Sequence, residues 1–263
     1  MSYLQAIILA VIEGLTEFLP VSSTGHMILA QSLMNVQNNE FIKTFEIVIQ
    51  LGAILAVLVL YIKRFIVGIT IYLKLMVAFL PTGIAGLLAY KFIKQYLFNP
   101  FIVSFSLVAG GVILILLDMW SEHRSAKYKD IEDITYGGAL KIGLIQCISM
   151  MPGVSRAAAT IFGGIFAGFD RKQAAEFSFL LAIPTMFAAT AKDLWESRDL
   201  LTTDAVTLLL TGSAIAFIVA AFAVKAFISF LTRFGFKHFG YYRILLGILF
   251  LAYALYTGMK IAL

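Results

Sequence analysis

Six stretches of this chain, 47–62, 75–90, 97–117, 177–191, 205–224 and 244–259, run for 15 to 21 residues without a single charged side chain. With their flanks each approaches or reaches the roughly 17 to 25 residues that a helix needs to cross about 30 Å of hydrocarbon. Six transmembrane helices are therefore expected. Three shorter apolar stretches, 4–12, 142–154 and 157–169, cover only about 15 to 20 Å each at about 1.5 Å per residue and cannot cross alone. Pro20 and the pair Pro152-Gly153 interrupt them. Broken backbone at membrane depth survives only where protein or a watery cavity satisfies it, so the short pieces are expected to form two re-entrant helical hairpins. With 61% apolar and 13% charged residues, the chain has too little polar surface to clothe a soluble globule. The expected fold is an all-α, polytopic helical membrane protein forming one transmembrane domain over 1–263.

The two halves echo each other. Gly14-Leu15, Glu17, Pro20 and Ser22-Ser23 correspond to Gly143-Leu144, Gln146, Pro152 and Ser155-Arg156. Phe45-Glu46 with Gln50-Leu51 corresponds to Ala175-Glu176 with Leu180-Leu181. Self-similarity of this kind divides the chain into pseudo-repeats of roughly 1–135 and 136–263. Each reads as a hairpin, a glutamate-bearing helix and two further spans. A hairpin makes no net crossing and three spans are odd, so the second repeat enters inverted. Thirteen Lys and Arg residues, among them Arg64, Lys127, Arg171 and Arg243, then fall on one side and six on the other, with Arg156 left over in the second hairpin. By the positive-inside rule the basic side is cytoplasmic and the first hairpin enters from outside. The formal charge of +5 is spread over short loops without a basic stripe, which argues against a nucleic-acid partner. Residues 1–12 carry no basic region or cleavage site and read as part of the fold. A lone thiol, Cys147, has no partner for an internal disulfide and reads as packing. His123 and His238, in charged loops, read as solvated surface.

The chemistry concentrates in Glu13-Gly-Leu-Thr-Glu17-Phe-Leu-Pro20-Val-Ser22-Ser23-Thr24-Gly25-His26. Each charge buried in a membrane costs about 2.5 to 3.5 kcal/mol on insertion scales, so this cluster needs compensation. Glu13 and Glu17 are four residues apart and share one helical face, which sets two negative charges together unless a divalent cation separates them. Solvation at a wet interface is the competing reading. Pro20 is expected to end the helix, and Ser22, Ser23, Thr24 and Gly25 then offer hydroxyls and backbone N–H groups that can cradle phosphate oxygens. His26 follows Ser23 by three residues, within reach for acid/base work. In Pro152-Gly153-Val154-Ser155-Arg156, Ser155 is the expected N-cap of an alanine-rich helix and Gly153 and Ser155 flank an anion pocket. Arg156 offers a fork for phosphate, a role compatible with pairing one of the glutamates. Glu13, Glu17, Glu46 and Glu176 against Arg156 give the expected core an excess of negative charge, a second argument for a divalent cation.

These motifs resemble the two signatures of the bacterial undecaprenyl-diphosphate phosphatase, or bacitracin-resistance, family. The likeness extends to Phe45-Glu46 through Gln50-Leu51-Gly52, to Phe177 through Ala182, and to Tyr242-Arg243. It implies removal of one phosphate from undecaprenyl diphosphate to give the monophosphate carrier for peptidoglycan and other envelope polymers. It also implies Glu13 and Glu17 as metal or water ligands with Mg2+ or Ca2+, Ser23 as nucleophile, His26 as its acid/base partner, and Arg156 as phosphate clamp. Ser22, Thr24 and Ser155 would donate supporting hydrogen bonds. One departure is visible: the family commonly has serine after the arginine, where this chain has Ala157.

On these grounds Ser23 is expected to attack the terminal phosphorus in line while Arg156 and the cation neutralise the oxygens. Attack by His26 or by metal-bound water remains open from sequence alone. So does a transporter or flippase reading, because paired re-entrant loops in inverted repeats also build secondary transporters. The expected setting is the bacterial plasma membrane, with lipids as surroundings and a polyprenyl diphosphate as partner. The active site would open to the outer face, and a homodimer is allowed.

Overall fold

The computed structural model describes residues 1–36, 39–66, 68–96, 100–122, 124–196 and 203–258. His123, and Arg198 and Lys260 of the charge count, lie outside the described residues. In chain order the helices are α1 (Tyr3–Thr16), α2 (Ser23–Leu33), α3 (Glu40–Leu60), α4 (Ile62–Ile66), α5 (Ile69–Tyr96), α6 (Pro100–Ser121), α7 (Tyr136–Gln146), α8 (Arg156–Ala167), α9 (Arg171–Glu196), α10 (Thr203–Phe234) and α11 (Lys237–Thr257). Among the described residues there is no strand. Six helices are long and apolar enough to cross a membrane: α3, α5, α6, α9, α10 and α11. They coincide with the six uncharged stretches.

Caps, which hydropathy cannot see, move the helix ends. Asn39 accepts a hydrogen bond from the Ile42 N–H at 2.9 Å, so α3 starts seven residues before its uncharged stretch. Thr135 caps α7 through the Gly138 N–H at 3.1 Å, so that helix begins ahead of the apolar run at 142. It stops at Gln146, and a 3-10 turn, Cys147–Met150, leads into the break at Pro152-Gly153. Helix α1 stops at Thr16, before Pro20. The Pro20 ring would strike the carbonyl four residues back and pushes Leu19 out of the helical region, so the ending is felt upstream of the proline itself. Helix α2 is an element of its own, started by the Ser22 cap.

The packing pairs α6 with α11, α3 with α10, and α3 with α9, while the short helices lean on long ones, α1 on α10 and α7 on α5. Small residues allow this closeness, because helices in lipid associate through van der Waals packing and hydrogen bonds rather than a hydrophobic drive. A Cβ on Gly14 would lie 2.8 Å from the Ala216 carbonyl oxygen, and one on Gly111 would lie 2.7 Å from the Gly240 oxygen. Phe18, Phe45, Phe177 and Phe179 are fully buried in the core, with Phe18 edge-on to Phe179 at 5.7 Å. Leu87, Leu88 and Phe222 are 77%, 83% and 71% exposed. Large apolar side chains facing outward on helices of this length belong against lipid tails.

Candidate active site

The Ser2 hydroxyl and the Gln5 side chain form a capping box that starts α1. Its buried face is Ala6, Leu9, Ala10, Glu13 and Gly14, spaced as one helical stripe. Glu13 rides on that stripe and is only 1% exposed. Its neighbours are Glu17, Glu46 and Gln50, and its Oε1 is buried without a hydrogen-bond partner. Glu17, one turn on, keeps helical dihedrals as the C-cap and sits on the same side.

The chain then makes an unusual turn, and makes it again in the second half. Ser22 has φ 71° and caps α2, its Oγ accepting from the Gly25 N–H at 3.4 Å. Ser155 has φ 74° and caps α8, its Oγ accepting from the Ala158 N–H at 3.2 Å. A positive φ at a residue other than glycine costs about 1 to 3 kcal/mol and survives where the surroundings over-determine it, often at functional sites. Gly153 has φ +91°, and a Cβ there would lie 2.6 Å from the Val103 carbonyl oxygen; only glycine fits.

Between the turns the side chains form a relay. The Ser23 hydroxyl donates to Glu17 Oε2 at 2.5 Å. Glu17 Oε1 accepts from Arg156 Nη2 at 3.2 Å. Arg156 Nη1 donates to the Ser178 carbonyl at 2.8 Å, and the guanidinium lies 5.7 Å from the centre of the Phe18 ring. Arg156 Nε is buried with no partner. Ser178 and Thr160 hydroxyls are 2.6 Å apart and brace α8 against α9. The two turns thus bring a hydroxyl, a carboxylate and a guanidinium into one buried line, with Glu17 and Arg156 139 residues apart in sequence.

His26 takes different partners from those read from sequence. Its Nδ1 lies 2.8 Å from the Ser22 carbonyl and its Nε2 2.7 Å from the Tyr242 hydroxyl, with the two rings stacked. A carbonyl only accepts, so Nδ1 carries the proton and Nε2 accepts from the tyrosine. The residue four ahead of His26 on its own helix is Ser22, which is why the ring reaches back to that carbonyl while the Ser23 hydroxyl is taken by Glu17. Thr24 is exposed beside the buried Ser22, Ser23 and Gly25.

Two charges read from sequence as core or loop are placed otherwise. Glu176 stands apart from the other three acids, 3.2 Å from Arg64 and 3.9 Å from Lys172. Arg64 also pairs with Asp130 at 2.8 Å. Burial alone would raise Asp130, but the hydrogen bonds from Arg64 and the Ile131 N–H outweigh it and hold the carboxyl below the usual range. Arg243, counted with the loop cations of the basic side, is inside α11 and fully buried. An arginine within an apolar helix is the signal that marks it. Gln31, which hydrogen-bonds Glu46, joins the cluster without any motif to announce it, while Tyr242 and Gln50 lie in stretches the resemblance covers but were given no role from sequence.

The donor set fits a hard divalent cation. Glu13 and Glu17 carry carboxylate oxygens of the kind such a cation prefers, and the orphaned Glu13 Oε1 is the kind of atom a cation satisfies. Among the described residues no group of three or more His, Cys, Asp or Glu side chains is gathered for a metal. A separate cavity of about 790 Å3, lined by Arg124, Lys127, Lys141 and Arg171 among others, lies at the far end of α8, about 18 Å of helix from Arg156.

A family profile described as "Bacitracin resistance protein BacA" matches residues 6–249. The "Undecaprenyl-diphosphatase" of Flavobacterium johnsoniae is 54% identical over 254 residues, 95% of this chain and 96% of that protein. That of Bdellovibrio bacteriovorus is 50% identical over 258 residues, 98% of each chain, and that of Aquifex aeolicus 46% identical over 253 residues, 96% and 98%. With a profile covering most of its length and relatives near half identity from end to end, this chain belongs to the bacitracin resistance protein BacA family.

Proposed function

We propose that the chain is an undecaprenyl-diphosphatase that removes the terminal phosphate of undecaprenyl diphosphate and leaves the monophosphate carrier. The observation that carries this reading is the buried line from Ser23 through Glu17 to Arg156, together with relatives of that name over the full chain. A hydroxyl held by a carboxylate, next to a guanidinium, is what phosphoryl transfer to a side chain requires.

In the first step the Ser23 oxygen bonds to the terminal phosphorus and the bridging P–O bond breaks, releasing the carrier monophosphate. Glu17 takes the Ser23 proton. Arg156, by its unpartnered Nε and its Nη2, holds the non-bridging oxygens, and the N–H groups that open α2 and α8 face the same anion. In the second step water attacks the phosphoserine and gives its proton to the Tyr242 hydroxyl, which passes its own to His26 Nε2, and Glu17 returns its proton to Ser23. Tyr242 and the Ser22 carbonyl hold the imidazole in the tautomer this step needs. A divalent cation between Glu13 and Glu17 would supply charge neutralisation for the diphosphate.

We read the architecture as an inverted repeat with two re-entrant hairpins, α1–α2 and α7–α8. Two observations support it: the twin serine turns, and a packing pattern in which α1 leans on α10 as α7 leans on α5. The basic side then faces the cytoplasm and the first hairpin enters from outside. The experiment is phosphate release by the purified, detergent-solubilised chain from undecaprenyl diphosphate with magnesium or calcium, and after chelation. Release that depends on the cation is expected; substrate binding without any release would refute the reading.

A further inference from the structure

Arg243 is 0% exposed, and among the described residues no carboxylate pairs with it. Its guanidinium is instead spent on five backbone carbonyls. Nη1 donates to Pro20 at 3.0 Å and to Val154 at 2.9 Å. Nη2 donates to Gly153 at 2.9 Å and to Ser106 at 3.0 Å, and Nε to Leu107 at 3.4 Å. That uses every N–H an arginine has. A buried cation without a counter-charge is expensive in a membrane protein, so a residue serving packing alone would be expected to be apolar.

The choice of carbonyls gives the reason. Pro20 and Gly153 each stand two residues before the cap serine of their turn, Ser22 and Ser155, the two serines held at positive φ. One guanidinium therefore gathers the equivalent carbonyl from both turns and ties them to α6. In a trans peptide the N–H points away from its carbonyl. Pulling the Val154 carbonyl toward Arg243 thus turns the Ser155 N–H the other way. The first turn carries Ser23 and the second Arg156, so the register between turns sets whether the two meet across Glu17. Gly110 leaves the room: a Cβ there would collide with Arg243 Nη2 and Cζ.

We propose that Arg243 is a positioning residue of the diphosphatase: a buried clamp that fixes the two phosphate-binding turns in register without touching substrate. This rests on the function proposed above. The test uses the purified full chain with undecaprenyl diphosphate and magnesium. Arg243→Lys keeps the charge but concentrates its donors at one atom, which cannot span both turns. A misplacement near 1 Å costs about 100-fold in rate, so kcat is expected to fall about 100-fold while KM stays within about threefold, in protein that elutes and melts like the wild type. Gly110→Ala, which displaces the guanidinium without removing it, is expected to lower kcat in the same direction, by about tenfold or more. In Arg243→Ala, added guanidinium chloride at low millimolar concentration is expected to restore part of the rate. A folded Arg243→Lys variant with kcat within about threefold of wild type overturns the clamp. Should that variant fail to assemble, an unaltered kcat in Gly110→Ala overturns it equally. A wild type that releases no phosphate sinks the diphosphatase reading, an outcome distinct from equal rates in wild type and variants.

Discussion

Glu17→Gln separates the base from the shape. The side chain keeps its size, but one amide oxygen now has to serve two donors, the Ser23 hydroxyl at 2.5 Å and Arg156 Nη2 at 3.2 Å, and the charge is gone. Losing a general base costs about 10²- to 10⁴-fold in rate, or about 2.7 to 5.4 kcal/mol of transition-state stabilisation. A separate effect falls on stability. Removing one partner of a buried ion pair costs about 3 to 5 kcal/mol, an upper bound here because Arg156 keeps the Ser178 carbonyl and its side chain is 12% exposed. Rates therefore have to be normalised to folded protein by gel filtration and thermal melting. The assay is a single turnover with diphosphate labelled at the terminal phosphorus, followed by acid quench and mapping of phosphorylated residues. Glu17→Gln is expected to form no phosphoserine. His26→Gln leaves the Ser23–Glu17 contact intact, so phospho-Ser23 is expected to build up toward one per chain while turnover stops. A Glu17→Gln rate within about threefold of wild type would refute the assignment. So would phosphoserine in Glu17→Gln with none in His26→Gln, which would make the imidazole the partner of Ser23.

Tyr242→Phe removes the hydroxyl 2.7 Å from His26 Nε2 but keeps the stacked ring. One hydrogen bond is worth about 0.5 to 1.5 kcal/mol, so steady-state phosphate release should fall about two- to tenfold; an unchanged rate removes the tyrosine from the site. Gly14→Ala forces a methyl to within 2.8 Å of the Ala216 oxygen and 2.9 Å of Val219 Cβ. Overpacking of this kind costs about 1 to 3 kcal/mol, read as a lowered melting temperature in detergent; an unshifted melt would mean that α1 and α10 are not tightly joined. Asp130 is held below its ordinary range, so its contribution is present above the unfolded value near about 3.9 and is lost as pH falls through the depressed folded value. The pair with Arg64 is partly exposed and worth less than about 1 kcal/mol. Asp130→Asn should therefore melt slightly below wild type from pH 5 to 8 and equal it in stronger acid; a gap that widens in acid would contradict the pairing.

How much of the site was legible follows from which contacts are local. Glu13 and Glu17, one turn apart, share a face because the helix repeat says so, and Ser155 caps α8 because a hydroxyl after Pro152-Gly153 and before alanines can do little else. The four carboxylates taken together as one core did not stay together. Glu176 sits toward the basic end of α9, where Arg64 and Lys172 reach it, and no spacing rule reports which end of a span faces which loop. Arg243 was legible as a charge yet not as a buried one, since its five acceptors are backbone carbonyls, identical in every residue and invisible to motif reading.

The amino-acid sequence by itself determined membrane residence, the six spanning helices and the segments that carry the chemistry. Those depend on the length of an apolar run against the thickness of a bilayer and on the cost of charge within it, both local quantities. The tertiary structure alone decided the partnerships: Ser23 with Glu17, Glu17 with Arg156 across 139 residues, His26 with Tyr242 across 216, and Arg243 with both turns. Hydrogen bonds fall away within a few tenths of an ångström. Partners so distant in the chain are therefore fixed only by how the helices pack.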